Sequence, residues 1–207
     1  MIDPISYATF VAASVALILV PGPAQALALS NTLTGGRGAG ALTAIGLNIG
    51  TLLHAVAAAF GLSALLATSA LAFSVVKYIG AAYLIYLGIQ ALRSKAKQSH
   101  TAGTPHSKQS PLTQAILVGT LNPKVALFFL AFLPQFVDPN RGSVVGQFIL
   151  LGATMAVLDA LYELALVYIF FRMRDRLLGN SHFAAWQSKI SGVILIGLGL
   201  RLAVQER

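Results

Sequence analysis

The chain has 207 residues, of which 57% are hydrophobic and only 10% charged. A typical soluble domain is about 25% charged, so this composition argues against a soluble enzyme or a soluble binding module. Lys and Arg outnumber Asp and Glu by 14 to 6, which gives a formal net charge of +8. We interpret this excess as the topology signal of basic cytoplasmic loops rather than as a nucleic-acid-binding surface. Cysteine is absent, which excludes disulfides and thiolate metal sites.

Long apolar stretches predict an all-α membrane protein. A transmembrane helix needs about 20 apolar residues, and the chain has room for six such helices. The predicted spans are residues 5–29, 39–66, 70–92, 112–136, 144–171 and 183–204. Glycines and hydroxyl side chains at 31–38 predict a turn after span 1, and residues 67–69 are the predicted turn between spans 2 and 3. We expect a single transmembrane domain that covers residues 1–207.

The two halves of the chain resemble each other. A polar linker at about 93–111 separates repeat 1, about 1–92, from repeat 2, about 112–207. Each half begins with a span that is interrupted by proline, at Pro21-Gly22-Pro23 and at Asn122-Pro123-Lys124. Three spans per half is an odd number, so the second half enters the membrane from the opposite side. The sequence therefore predicts two inverted three-helix repeats with broken helices 1 and 4.

Basic residues predict the orientation. The loops after spans 1, 3 and 5 carry eight of them, namely Arg37, Arg93, Lys95, Lys97, Lys108, Arg172, Arg174 and Arg176. The opposite side carries three, namely Arg141, Arg201 and Arg207. By the positive-inside rule the linker is cytoplasmic and both termini lie on the opposite, outer side.

The broken helices predict a binding site for a polar substrate. A proline inside a span removes a backbone donor and exposes a carbonyl, which is tolerated at membrane depth only where it faces protein or a watery cavity. A kink that serves packing is the alternative for one lone proline. Two paired breaks favour a secondary transporter, with substrate-binding candidates at Pro21, Gly22 and Pro23 in one half and at Asn122, Pro123 and Lys124 in the other.

Ionisable side chains within the spans are candidates for proton coupling. A charged side chain at the bilayer centre costs about 2.5 to 3.5 kcal/mol, so such residues are functional candidates by default. His54 lies near the middle of span 2, and the repeat places Asp159 of span 5 opposite it. Glu163 follows Asp159 by four residues on the same helix face. For His54 the alternative is a hydrogen bond to a neighbouring helix carbonyl.

Lys124 is the expected counter-charge of these carboxylates. A pair with Asp159 or Glu163 is either purely structural or opens during transport, when a proton or a cationic group of the substrate competes for the carboxylate. Tyr162 lies beside the same face of span 5 and is a further substrate-binding candidate. An anionic group of the substrate is expected at Lys124 or at the half-helix amides of the first break.

Ordered motifs along the whole chain resemble the LysE/RhtB family of bacterial amino-acid exporters. They are Val20-Pro21-Gly22-Pro23, the stretch Gly35–Gly40 with Gly46–Gly50, the stretch Lys77–Gly88, and the longest match, Asn122–Val137. The resemblance implies efflux of amino acids or close derivatives, driven by the proton gradient and without a cofactor. Asn48 and Glu163 depart from the usual pattern of the family and are candidates for setting the substrate.

Two other functions are alternatives to amino-acid export. A metal-cation exporter needs a cluster of Cys, His or carboxylate ligands, and the spans offer only His54, Asp159 and Glu163. An intramembrane enzyme needs a nucleophile motif, and none is recognisable. The pair Gly46 and Gly50 predicts close helix packing and permits a homodimer.

Overall fold

The computed structural model describes residues 2–68, 70–93 and 109–172, together with scattered positions between 189 and 204. The helices are α1 Pro4–Leu19, α2 Pro23–Thr68, α3 Ala70–Arg93, α4 Pro111–Thr120, α5 Pro123–Leu127 and α6 Val144–Arg172. Between α5 and α6 lie a π-helical segment, Phe128–Phe132, and two 3₁₀ segments, Leu133–Phe136 and Pro139–Arg141. The described part of the chain contains helices and no strand, which confirms the all-α class. Most of the predicted sixth span and of the linker lies outside the described residues.

Among the residues that the structure describes, three segments are long and apolar enough to cross a membrane. They are Pro23–Leu62, Pro111–Phe136 and Val144–Arg172. Their outer faces carry large exposed apolar side chains, among them Phe60, Leu117 and Leu161. An apolar outer surface of this kind suits lipid rather than water, because soluble monomers rarely expose extended apolar patches. The protein is therefore a membrane protein.

The chain reverses inside α2, at Gly36. This glycine has φ 75° and ψ −171°, in the region that side chains with a Cβ rarely enter. The side-chain amide of Asn31 donates to the Thr43 hydroxyl at 2.9 Å, although a straight helix would separate these residues by about 18 Å. Residues 23–35, the first arm, therefore run antiparallel to residues 37–68, the second arm. The reversal confirms the predicted turn at 31–38.

The second arm runs parallel to α4, and glycines bring the two backbones together. A Cβ on Gly46 would lie 2.6 Å from the Cβ of Ala115, and a Cβ on Gly50 would lie 2.5 Å from the carbonyl carbon of Gly119. Such close approach is what a pair of small residues four positions apart provides. The predicted packing role of Gly46 and Gly50 is confirmed, and it is fulfilled within one chain.

The second arm runs antiparallel to α6. Gly40, early in the arm, lies beside Val167, late in α6, whereas Ala55 lies beside Gly152 in the first part of α6. The α2 helix ends at Thr68 and α3 begins at Ala70, where the turn between spans 2 and 3 is predicted. The second arm, the two helix breaks and α6 meet at one place, and the candidate site lies there.

Candidate functional site

Two helix breaks lie at the predicted prolines. The first follows Leu19: Val20 is extended, with ψ 117°, and α2 starts at Pro23. The second follows Thr120: Asn122 caps α5, its side-chain oxygen accepting from the backbone N–H of Lys124 at 3.1 Å. In both cases a proline is the first residue of the new helix, where its missing N–H has no intrahelical acceptor to lose.

The regular helical hydrogen bonds stop at the end of α1, where the Leu17 carbonyl accepts from the Val20 N–H at 3.1 Å and two side chains donate to the last carbonyls. The Lys124 ammonium donates to the carbonyl of Leu17 at 3.2 Å and to that of Val20 at 2.9 Å. The Gln25 amide donates to the carbonyl of Ile18 at 2.5 Å. A helix C-terminus is the negative end of the helix dipole, so an ammonium there is stabilised electrostatically as well. Lys124, which follows the second break, thus caps α1, the helix that ends at the first break.

The two carboxylates of α6 differ in their partners. Asp159 accepts a hydrogen bond from the Thr51 hydroxyl of the second arm at 3.0 Å. Glu163 is buried, with 4% of its surface exposed, and its Oε2 has no hydrogen-bond partner within the described chain. An unpartnered buried carboxylate oxygen is costly, so it marks a place where another group is needed.

Lys124 interacts electrostatically with both carboxylates but does not touch either one. Within the ranges that the structure covers, the one ion pair joins Arg141 to Asp138 on the surface. The expected contact pair between Lys124 and a carboxylate is therefore not formed. The ammonium lies instead on the carbonyls of Leu17 and Val20, and the Leu17 carbonyl also accepts from the backbone N–H of Val20.

These groups share a small cavity between the two breaks. Its polar lining consists of Gln25, Thr51, Asn122, Lys124, Asp159 and Glu163, and its apolar lining includes Leu17, Ile18, Leu47, Val125 and Met155. Its volume, about 20 Å³ for the centres of water-sized molecules, holds roughly one water. A Cβ on Gly22 would lie 3.9 Å from the Lys124 nitrogen, so the first break borders the same group. A cavity of this size is too small for an amino acid.

Three predicted site residues lie beside the cavity rather than in its lining. His54 stacks on Phe129 with ring centroids 6.3 Å apart, and its buried Nε2 has no hydrogen-bond partner among the residues described. The Asn48 amide donates to the carbonyl of Ala156 at 2.7 Å, which joins the second arm to α6. Tyr162 is half-buried next to the carboxylate face of α6. Pro21, Pro23 and Pro123 are exposed and shape the breaks through the backbone.

Two residues of the site were not expected from the sequence. Thr51, and not His54, lies opposite Asp159. Thr51 lies three residues before His54 and three after Asn48, so its hydroxyl shares a helix face with both. This spacing is the sequence signal that could have identified Thr51. Gln25 is a polar side chain in a stretch without any charge from Pro4 to Gly36, directly after the first break.

Known proteins resemble the chain over nearly its full length. Residues 15–206 match the family model described as LysE type translocator. The uncharacterized membrane protein YrhP of Bacillus subtilis is 35% identical over 89% of this chain and 92% of its own. Leucine efflux proteins of Klebsiella pneumoniae and Enterobacter sp. are 30% and 28% identical, over 98% and 96% of this chain and 96% and 95% of theirs. No solved structure matches the chain significantly.

Proposed function

The chain belongs to the LysE type translocator family, and we propose that it exports an amino acid across the bacterial inner membrane in exchange for protons. The matched family and the relatives named as leucine efflux proteins are transporters rather than enzymes, which supports amino-acid export as the activity. The observation that carries the proposal is the cavity between the two helix breaks, where one ammonium, two carboxylates and the carbonyls at the end of α1 meet.

We propose an aliphatic neutral amino acid as the substrate. The relatives named as leucine efflux proteins suggest such a side chain. The apolar part of the cavity lining, with Leu17, Ile18, Leu47 and Met155, suits an aliphatic group, and the polar part suits a zwitterion. Gly22, Asn122 and the backbone of both breaks are the proposed contacts of the zwitterion, with Lys124 beside them. Asn48 and Tyr162 would support the site from outside the lining.

The six-span inverted repeat remains our proposal for the architecture. It is supported by two equivalent pairs across the crossing of the second arm and α6: Asn48 bonds Ala156 and Thr51 bonds Asp159, and both pairs are 108 residues apart. In an inverted repeat, a two-fold axis relates the second arm to α6. Near the point where these two antiparallel helices cross, each residue lies close to the residue that the axis relates to it. The antiparallel course of the two helices fits an inverted repeat with periplasmic termini and a cytoplasmic linker. A homodimer would need a surface other than Gly46 and Gly50.

Asp159 and Glu163 are the proposed proton carriers. Both lie on one face of α6, in the cavity lining, and Glu163 has an oxygen without a partner among the described residues. His54 is proposed as an auxiliary proton site, because its buried nitrogen also lacks a partner in that part of the chain. Since the cavity holds about one water, transport requires the breaks to open alternately towards either side.

Counterflow in proteoliposomes tests this function. Purified protein should exchange labelled leucine, and an imposed pH gradient should drive its accumulation. Asp159→Asn should reduce exchange by tenfold or more without loss of membrane insertion, because the variant cannot release a proton at that position. Asp138→Asn is the matched control, since Asp138 lies in a surface turn, and it should exchange normally.

Two outcomes would contradict the proposal. Normal exchange by a well-expressed Asp159→Asn protein would exclude Asp159 from coupling. Metal efflux that depends on His54, in the absence of amino-acid exchange, would instead support the metal-cation alternative.

A further inference from the structure

The end of α1 is a binding site for an ammonium group, and the chain fills it with its own side chain. The nitrogen of Lys124 lies 2.9 Å from the Val20 carbonyl and 3.2 Å from the Leu17 carbonyl, more than a hundred residues away in the sequence. Carbonyl acceptors at a helix C-terminus favour a cation through both hydrogen bonds and the helix dipole. We call the carbonyls of Leu17 and Val20 the carbonyl cage.

The same cavity offers a second place for the Lys124 ammonium. The Oε2 of buried Glu163 has no hydrogen-bond partner in the described part of the chain, and Glu163 and Lys124 line one cavity. Lysine is a compact cation on a flexible stem of four carbons, so its nitrogen can move between acceptors in the same cavity. A move from the carbonyl cage to Glu163 would give that carboxylate its missing partner.

We propose that Lys124 is a built-in surrogate for the ammonium group of the substrate. On binding, the substrate ammonium takes the carbonyl cage, and Lys124 moves to the carboxylates of α6. In the loaded site, the substrate ammonium binds the carbonyl cage and Lys124 binds the carboxylates. In the empty site, Lys124 binds the carbonyl cage. The empty transporter thereby avoids leaving helix-end carbonyls unpaired at membrane depth. This inference rests on the proposed function and assigns the group that recognises the substrate amine.

The test is chemical rescue of the missing ammonium. Lys124→Ala empties the carbonyl cage, and ethylammonium is small enough to replace the lost group. We expect ethylammonium to raise the melting temperature of this variant saturably, by roughly 3 to 6 °C at ten times its dissociation constant. Ethanol at equal concentration, which carries no charge, should have no saturable effect. Neither the wild-type protein nor Lys189→Ala, which removes an exposed lysine, should respond.

A double variant separates the cage from the carboxylates as the rescue site. In Lys124→Ala with Glu163→Gln the response to ethylammonium should persist, because the carbonyls of Leu17 and Val20 are unchanged. Loss of the response in the double variant would place ethylammonium on the carboxylate and overturn the proposal. Absence of a response in both Lys124→Ala and the bulkier Lys124→Met would overturn it as well.

The rescue does not depend on transport, so it fails independently of the proposed function. If wild-type protein exchanges no amino acid but Lys124→Ala is rescued, the ammonium site stands and the exported substrate is a different amine. Should the variants be obtained only when ethylammonium is present during purification, the cage requires a cation, as proposed. Variants that cannot be obtained even then would contradict the role of the added ammonium.

Discussion

Thr51 connects the two helices that cross at the centre of the molecule. Its hydroxyl donates to Asp159 at 3.0 Å, and it is buried, with 2% of its surface exposed. Hydrogen bonds between helices at membrane depth contribute on average about 0.6 kcal/mol and at most about 1.7 kcal/mol. The bond also fixes one oxygen of the carboxylate that we propose as a proton carrier.

Replacing Thr51 by valine should therefore lower the free energy of unfolding by about 0.6 to 1.7 kcal/mol. Valine keeps the shape of the side chain but removes the donor, which leaves the Asp159 oxygen without this partner. Thr51→Ser is the matched control, because it retains the hydroxyl, and it should unfold close to wild type. Unfolding in detergent measures both variants, and equal stabilities would show that the bond contributes nothing.

The residues of the site were only partly predictable from the sequence. Asn122, Lys124, Asp159 and Glu163 were predicted because polar side chains are conspicuous within apolar spans, and all four line the cavity. The partners of Lys124 could not be predicted. They are backbone carbonyls, which have no sequence signature, and they lie at the end of a helix more than a hundred residues away. Which side chain faces Asp159 depends on the rotation of the second arm about its axis, and this is set by packing.

At the scale of elements, the contact between the second arm and α4 depends on backbone approach. A Cβ on Gly50 would lie 2.5 to 2.7 Å from backbone atoms of Gly119 and Thr120, and backbone atoms cannot rotate away. The two helices would have to move apart along their length. This contact also holds the end of α4, and thus the second break, in place.

Gly50→Ala should accordingly destabilise the protein by about 1 to 3 kcal/mol. The same substitution at Gly61, in the same helix but with nothing within 4 Å of the added Cβ, should be neutral or stabilise by up to about 1 kcal/mol. Thermal unfolding of both purified variants measures the difference. A melting temperature for Gly50→Ala at or above that of Gly61→Ala would mean that the helices separate without cost.

Helix boundaries were more predictable than helix contacts, for a local reason. The breaks at Pro23 and Pro123 and the reversal at Gly36 follow from residues that act on their own backbone, by removing a donor or adopting positive φ. The π-helical segment Phe128–Phe132 has no comparable signal. It lies in the run of apolar side chains that packs against α3 and Phe10, where tertiary contacts determine the winding.

For the whole molecule, the directions of the helices predict on which side each turn lies. The second arm starts at the reversal near Gly36, and α4 with its continuation runs parallel to it and ends at the turn Asp138–Gly142. The two turns therefore lie at opposite ends of these helices, and the proposed topology puts them on opposite sides of the membrane.

Single cysteines can test this arrangement without background, because the chain has none of its own. Gly38 and Asn140 are exposed, and a Cβ on Gly38 meets nothing within 4 Å. In intact cells an impermeant maleimide should label Asn140→Cys and spare Gly38→Cys, and both should react after lysis. Labelling of both positions in intact cells would contradict the proposed topology.

The lysine cap on α1 has a consequence for the order of biosynthesis. A chain is made from its N-terminus, so α1 enters the bilayer long before residue 124 has been synthesised. Until then the carbonyls of Leu17 and Val20 lack the Lys124 donor, and only that of Leu17 has a local partner, the Val20 N–H. The end of α1 therefore gains its full set of hydrogen bonds only after the second half of the chain has been made.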